Sequence, residues 1–280
     1  MTHAEEVLQR ALTLGDEGRW EEMAQLLAEA VRDEPEDEYL LCWLGVAERE
    51  LGNDGAAYEY FKRCVAQDPM DPHILAMAGS GLAAFDDPEA ETVLRAAALT
   101  GPDLPETRLQ YGSYLAREGH FELALENLRI AIELAPEDPG PRAELGAALA
   151  LKGDMAAAAD AMEEALVIAA DDSWTRVLLG LVRWEMGERA EAGEALVEAA
   201  AQRPEDAEAQ LLATLAAAAQ GWDAAAQDAL ARALHSAEGT DTVMLEQVED
   251  RIDQGPEAAA TLLAEDLGPS ALHDRLMQPL

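Results

Sequence analysis

The sequence predicts an all-α chain, a solenoid of helix-turn-helix repeats, and three periodic rows predict it. Glycine recurs at Gly18, Gly52, Gly119, Gly153, Gly187, Gly221 and Gly255, in steps of 34 residues apart from one step of 67 after Gly52. Small residues recur in two further rows, at Ala57, Ala90, Ala124, Ala158, Ala192, Ala226 and Ala260, and at Ala30, Cys64, Ala97, Ala131, Ala165, Ala199 and Ala233. Pro35, Pro69, Pro102, Pro136 and Pro204 close the units, with Ala170 in the one empty slot. A period of this length marks supersecondary units that bury their apolar faces on one another, so it takes precedence over any local assignment.

The unit is clearest from Ser113 to Pro136. Leu115 ends one apolar helix face and Gly119 breaks it. Phe121, Ala124, Leu128 and Ala131 then line a second helix, which Pro136 ends. Taken in order, the repeats fall at about 4–37, 38–71, 72–104, 105–138, 139–172, 173–206 and 207–240, with a partial capping unit at 241–268. In the first, Val7, Ala11 and Leu14 face Trp20, Leu27 and Ala30. The second carries Leu41, Leu44, Gly45, Tyr58 and Phe61. The third is one residue short, and its turn Phe85-Asp86-Asp87-Pro88 lacks the glycine, which predicts a tighter turn and a second helix started by Pro88. The next three are the most regular. The seventh puts Thr214 where a glycine is expected, and the capping unit keeps Gly255 and Ala260 with acids on its outer face. Thus 4–268 reads as a single solenoid. The remainder, 269–280, places Leu272, Leu276 and Met277 at helical spacing. It reads as a short helix covering the last apolar face or, more sharply, as a peptide reaching into a neighbouring copy.

Aspartates recur where each first helix begins, at Asp37, Asp71, Asp138, Asp172 and Asp206, with Pro72 and Pro139 directly after two of them. A carboxylate there accepts from free backbone N–H groups and complements the helix dipole, so these residues are read as caps rather than catalysts.

Leu44-Gly45, Tyr111-Gly112, Leu145-Gly146 and Leu179-Gly180 in the first helices, together with Phe61, the alanines and the prolines, resemble the tetratricopeptide repeat over about residues 4–268. The resemblance implies a right-handed superhelical α-solenoid whose first helices line a concave face, and a non-enzymatic role in binding another protein there. Carried over by phase, the lining consists of Tyr39, Trp43, Val46 and Arg49 in the second repeat, and His73 and Met77 in the third. Gln110, Ser113 and Arg117 come from the fourth, Trp174, Leu178, Leu181 and Trp184 from the sixth, and Leu211 and Leu215 from the seventh. The family's two-carboxylate clamp needs Lys, Arg and Asn on this face. Here the face is apolar, and Asn53 and Asn127, the chain's two asparagines, fall elsewhere. Tyr39 and the tryptophans are of the type that forms binding hot spots. Trp43, Trp174 and Trp184 admit either role, anchor or packing residue; Trp20 and Trp222, at the turns, read as packing residues.

Charge bounds the partner. With 57 acidic and 19 basic residues the chain carries −38, a field that repels nucleic acid and anionic membranes and attracts basic proteins. The acids are spread along the chain, so they also read simply as a solubilising surface. No apolar run is long enough to span a bilayer and the start lacks a basic signal-peptide region, so the expected location is cytoplasmic with no membrane insertion. The five histidines and two cysteines share no metal-ligand spacing, and no phosphate loop or nucleophile elbow occurs, so no catalytic residue, metal or cofactor is expected. Cys64 stands in the small-residue row and reads as core. The expectation is a cytoplasmic adaptor, assembly factor or chaperone holding a peptide or helix, with or without a basic flank, in an apolar, acid-rimmed groove. The alternative is a self-assembling scaffold docking through an end face or the tail.

Overall fold

The computed structural model describes residues 3–236 and 242–278 and divides into two compact units, one ending at Leu115 and the other running Ala116–Gln278. Among the described residues there is no strand. The expected repeat junction at 240–241 lies outside the described residues.

The N-terminal unit pairs α1 (His3–Asp16) with α2 (Trp20–Asp33), α3 (Glu38–Glu50) with α4 (Asp54–Val65), and α5 (Pro72–Ala83) with α6 (Ala90–Thr100). Helix α7 (Pro105–Arg117) crosses the division. Each helix from α1 to α6 packs on the next, and α3 also touches α1 and α5, so the first helices stand in one row. A continuous core from Ala4 to Ala97 fills the space between the helices. Phe61 is its largest fully buried side chain. Its ring lies against two glycines on neighbouring first helices: a Cβ on Gly45 would sit 2.8 Å from the ring, and one on Gly81 2.4 Å. The Leu-Gly signature is therefore a close-approach device.

The C-terminal unit continues with α8 (Phe121–Leu134), α9 (Gly140–Lys152), α10 (Met155–Ile168), α11 (Ser173–Glu185), α12 (Arg189–Gln202), α13 (Ala207–Ala219) and α14 (Asp223–Ser236). Then come α15 (Thr242–Asp253), α16 (Pro256–Leu262), a π-helical turn at Leu263–Leu267 and α17 (Gly268–Met277). Helices α15 and α16 pack on α13 and on each other.

The turns explain the glycine row. All seven glycines take a left-handed backbone, with φ from +69° to +108°, which L side chains adopt only at a cost. In the shortened repeat Asp86 fills the same slot with φ +52°. The expectation of a helix started by Pro88 is corrected here: Pro88 and Glu89 remain in the turn and α6 begins at Ala90. Asp87 holds that turn instead, accepting from the Glu89 N–H at 2.8 Å and from the Tyr58 hydroxyl at 2.8 Å, with the Lys62 ammonium 3.1 Å away. These contacts reproduce locally what the missing glycine supplies elsewhere.

The cap reading holds at Asp37, Asp71, Asp172 and Asp206, whereas at α9 Pro139 takes the N-cap position and Asp138, one residue earlier, still accepts from a free backbone N–H. Asp37 accepts from the Leu40 N–H at 2.9 Å, Asp71 from His73 at 2.9 Å, Asp138 from Gly140 at 2.9 Å, Asp172 from Thr175 at 3.1 Å and Asp206 from Ala209 at 3.0 Å. Cys42 and Cys64 are buried free thiols. A hydrogen bond with Cys64 and burial push the Cys42 thiol well above its ordinary range, which makes it a poor nucleophile.

Candidate protein-binding faces

The row of first helices is built the same way in both units but ends differently. In the N-terminal unit Tyr39, Trp43, Val46, Arg49 and Met77 are half-buried, with part of each surface meeting solvent. Val46, Arg49, Met77 and Gln110 come together with Ser80 and Glu106 around an open cleft of about 80 Å³. His73 is exposed at the rim, its Nδ1 2.7 Å from Glu106 Oε2. The Tyr39 hydroxyl donates to Asp71 Oδ2 at 2.9 Å, which with burial raises the phenol's pKa. Ser113 is buried and its hydroxyl oxygen has no partner among the described residues.

In the C-terminal unit Leu178, Leu181, Trp184, Leu211 and Leu215 are buried, and only Trp174 of the sequence-derived lining there is half-buried apart from Arg117. The cause at Trp174 is the chain itself. Helix α17 turns back and packs against α9 and α11, and its Ser270, Ala271 and Asp274 line a small cavity together with Leu267, Met244 and Glu208, Leu211 and Leu212 of α13. Its buried residues Gly268, Ala271, Leu272, Arg275 and Leu276 have helical spacing and form one stripe. The Arg275 guanidinium lies 4.5 Å from the centroid of the Trp174 ring, 3.0 Å from Glu208 Oε2 and 3.6 Å from Asp206 Oδ2. At the other end Arg117 donates to the Gln278 carbonyl at 2.6 Å and lies 3.4 Å from the buried Glu144.

A family model described as the tetratricopeptide repeat matches residues 8–72 and 109–173, each stretch carrying the helix pairs described above. These two stretches are tetratricopeptide repeats. Among solved structures, this repeat protein is similar to PilW, a type IV pilus biogenesis factor, at 19% identity over 72% of this chain and 94% of that one, with a TM-score of 0.62. It is similar to a chain of the APC/C hetero-tetramer Cut9–Hcn1 at 19% identity, covering 85% of this chain and 48% of that one, with a TM-score of 0.66. It is also similar to TTC0263, a repeat protein of Thermus thermophilus, at 26% identity over 64% of this chain and 97% of that one, with a TM-score of 0.53. No curated protein sequence matches the chain. The all-α helical repeat fold is the architecture of a protein–protein interaction module.

Two features of this repeat protein's C-terminal face escape the sequence pattern. Arg275 reads as a tail residue, yet it is the cation seated on an aromatic ring between two acids. Asp206 caps α13 and also faces Arg275, so one carboxylate serves the fold and the face together. The signal available in the sequence was the stripe 268, 271, 272, 275 and 276, in which a lone arginine interrupts small and apolar residues. Trp184 lies under Arg189, whose guanidinium is 5.6 Å from the ring centroid, and Trp222 packs on Gly193. No helix of the described residues is long and apolar enough to cross a membrane.

Proposed function

We propose that the chain is a cytoplasmic, non-enzymatic adaptor, assembly factor or chaperone that holds a peptide or helix of another protein on the N-terminal row of first helices. One observation carries this reading: Tyr39, Trp43, Val46 and Met77 are half-buried on the first helices, and Val46 and Met77 line an open cleft that also holds Glu106. Aromatic anchors in a concave seat are what interface hot spots are made of. Glu106 on the cleft and Asp71 beside Tyr39, within a chain of charge −38, favour a partner segment with a basic flank and speed its encounter. The scaffold alternative has less support, because the apolar stripe of α17 is already buried on its own chain.

The test is site-directed photo-crosslinking. A photoreactive side chain at Arg49, on the proposed seat, is compared with one at Leu99, an exposed position on α6. The captured protein is then purified and titrated against wild type and Trp43→Ala. Crosslinking from position 49 alone, with binding weakened by about tenfold or more in the variant, is the expected result. Crosslinking from position 99, or unchanged affinity, overturns the reading.

A further inference from the structure

Helix α17 behaves as a ligand rather than as part of the repeat stack. It has no partner helix of its own. It emerges from the π-helical turn at Leu263–Leu267 and lies across first helices of three successive repeats, α9, α11 and α13. A helix laid by its apolar stripe onto a row of helices is one of the standard ways in which a segment of one protein is recognised by another. Its recognition chemistry is specific. Leu272 and Leu276 supply the apolar contact and Arg275 supplies the charge, which is read by the Trp174 face, Glu208 and Asp206 together.

The contact between helix and seat is also incompletely satisfied. Among the described residues, Nη1 of the helix's Arg275, a side chain only 4% exposed, and Nε of the seat's Arg117 are buried without a partner. A buried donor without an acceptor weakens the state that contains it. The contact therefore leaves one buried donor on each side without an acceptor among the described residues, Arg275 on the helix and Arg117 on the seat.

We propose that the face beneath α17 is a second docking surface, whose external partner is an amphipathic helix of another protein carrying an arginine within a small and leucine-rich stripe, and that α17 is its tethered competitor. The tether gives α17 a high effective concentration, so the external helix binds only by displacing it. This surface stands independently of the N-terminal cleft, since no residue is shared between them.

The probe is a fluorescently labelled synthetic peptide of residues 266–278, titrated by anisotropy against the full-length chain. Wild type is compared with the full-length double variant Leu272→Glu/Arg275→Glu, which loosens α17 without removing it. The peptide is expected to bind the double variant about tenfold or more tightly than wild type. Adding Trp174→Ala to the double variant, or Arg275→Glu to the peptide, is expected to abolish that gain. Adding Trp43→Ala leaves it unchanged, which separates failure here from failure of the N-terminal reading. A variant with wild-type helicity that does not bind the peptide overturns the proposal, as does equal binding to wild type and variant. Dimers of wild type that exchange α17 between copies, seen by sedimentation, also overturn it. Should the double variant lose helicity, amide exchange of the wild type decides: protection of residues 270–277 well below that of α11 supports displacement, and equal protection overturns it.

Discussion

In the N-terminal unit the first helices leave Tyr39, Trp43, Val46 and Met77 partly open to solvent, Val46 and Met77 on a small cleft, whereas in the C-terminal unit Trp174 of α11 meets the chain's own last helix. The repeat architecture is common to both, so it does not decide whether a groove is available. The deciding factor is whether a segment outside the repeats returns to cover it. A groove is a property of the stack, and its occupancy is a property of the chain beyond the stack.

The sharpest way to break this comparison is to unfold one side of it. Phe61→Ala removes the side chain wedged against Gly45 and Gly81, and is expected to destabilise the N-terminal unit by about 3–5 kcal/mol. Chemical denaturation followed by Trp43 and Trp174 fluorescence, each read in a chain lacking the other tryptophans, shows which unit responds. Next in size is Arg275→Ala, which deletes the contacts to Trp174, Glu208 and Asp206. Because Glu208 is half-exposed, the expected cost is about 1–2 kcal/mol rather than that of a fully buried pair. Hydrogen exchange is expected to quicken across 268–278 and to stay unchanged in α3 and α5; a change in α3 and α5 would count against independent faces.

A smaller effect is expected from Asp87→Asn in the turn that lacks a glycine. Burial raises the carboxyl's pKa, but the Glu89 N–H, Tyr58 hydroxyl and Lys62 outweigh it and hold it below the ordinary carboxylate range. A depressed folded pKa contributes stability above the unfolded value of about 3.9, and that contribution is lost as pH falls through the folded value. Wild type is thus expected to exceed the variant by about 1 kcal/mol at neutral pH, with the gap closing in acid. Urea midpoints measured against pH test this. The smallest change is Asp86→Gly, which relieves the left-handed backbone at φ +52° and is expected to stabilise by a few tenths of a kcal/mol, up to about 1. Gly153→Ala, at φ +89°, is expected to cost about 1 kcal/mol by the same logic in reverse.

Most of the fold was legible because its determinants are local and repeated. A glycine at the turn, an aspartate at the cap and an alanine at the crossing each act within one or two helices, so their period in the chain is their period in space. Pro88 misled because proline favours the first turn of a helix but also fits an ordinary turn, and Asp87 had already taken the capping contacts. The candidate faces were half legible. Phase placed Tyr39, Trp43 and Met77 on the row of first helices, but phase carries no information about the destination of a helix that leaves the repeat. Arg275 meets Glu208 across 67 residues, a separation set by packing alone.

The bond from Arg117 to the Gln278 carbonyl spans 161 residues and joins the first turn of the C-terminal unit to its last described residue. A stack with couplings only between neighbours responds to a pull on its ends as a spring, opening coil by coil. With its two ends fastened by α17, this unit resembles a buckled strap. Tension applied at the ends of this unit is therefore expected to load the Arg117 bond and the Arg275 contacts before it loads any repeat.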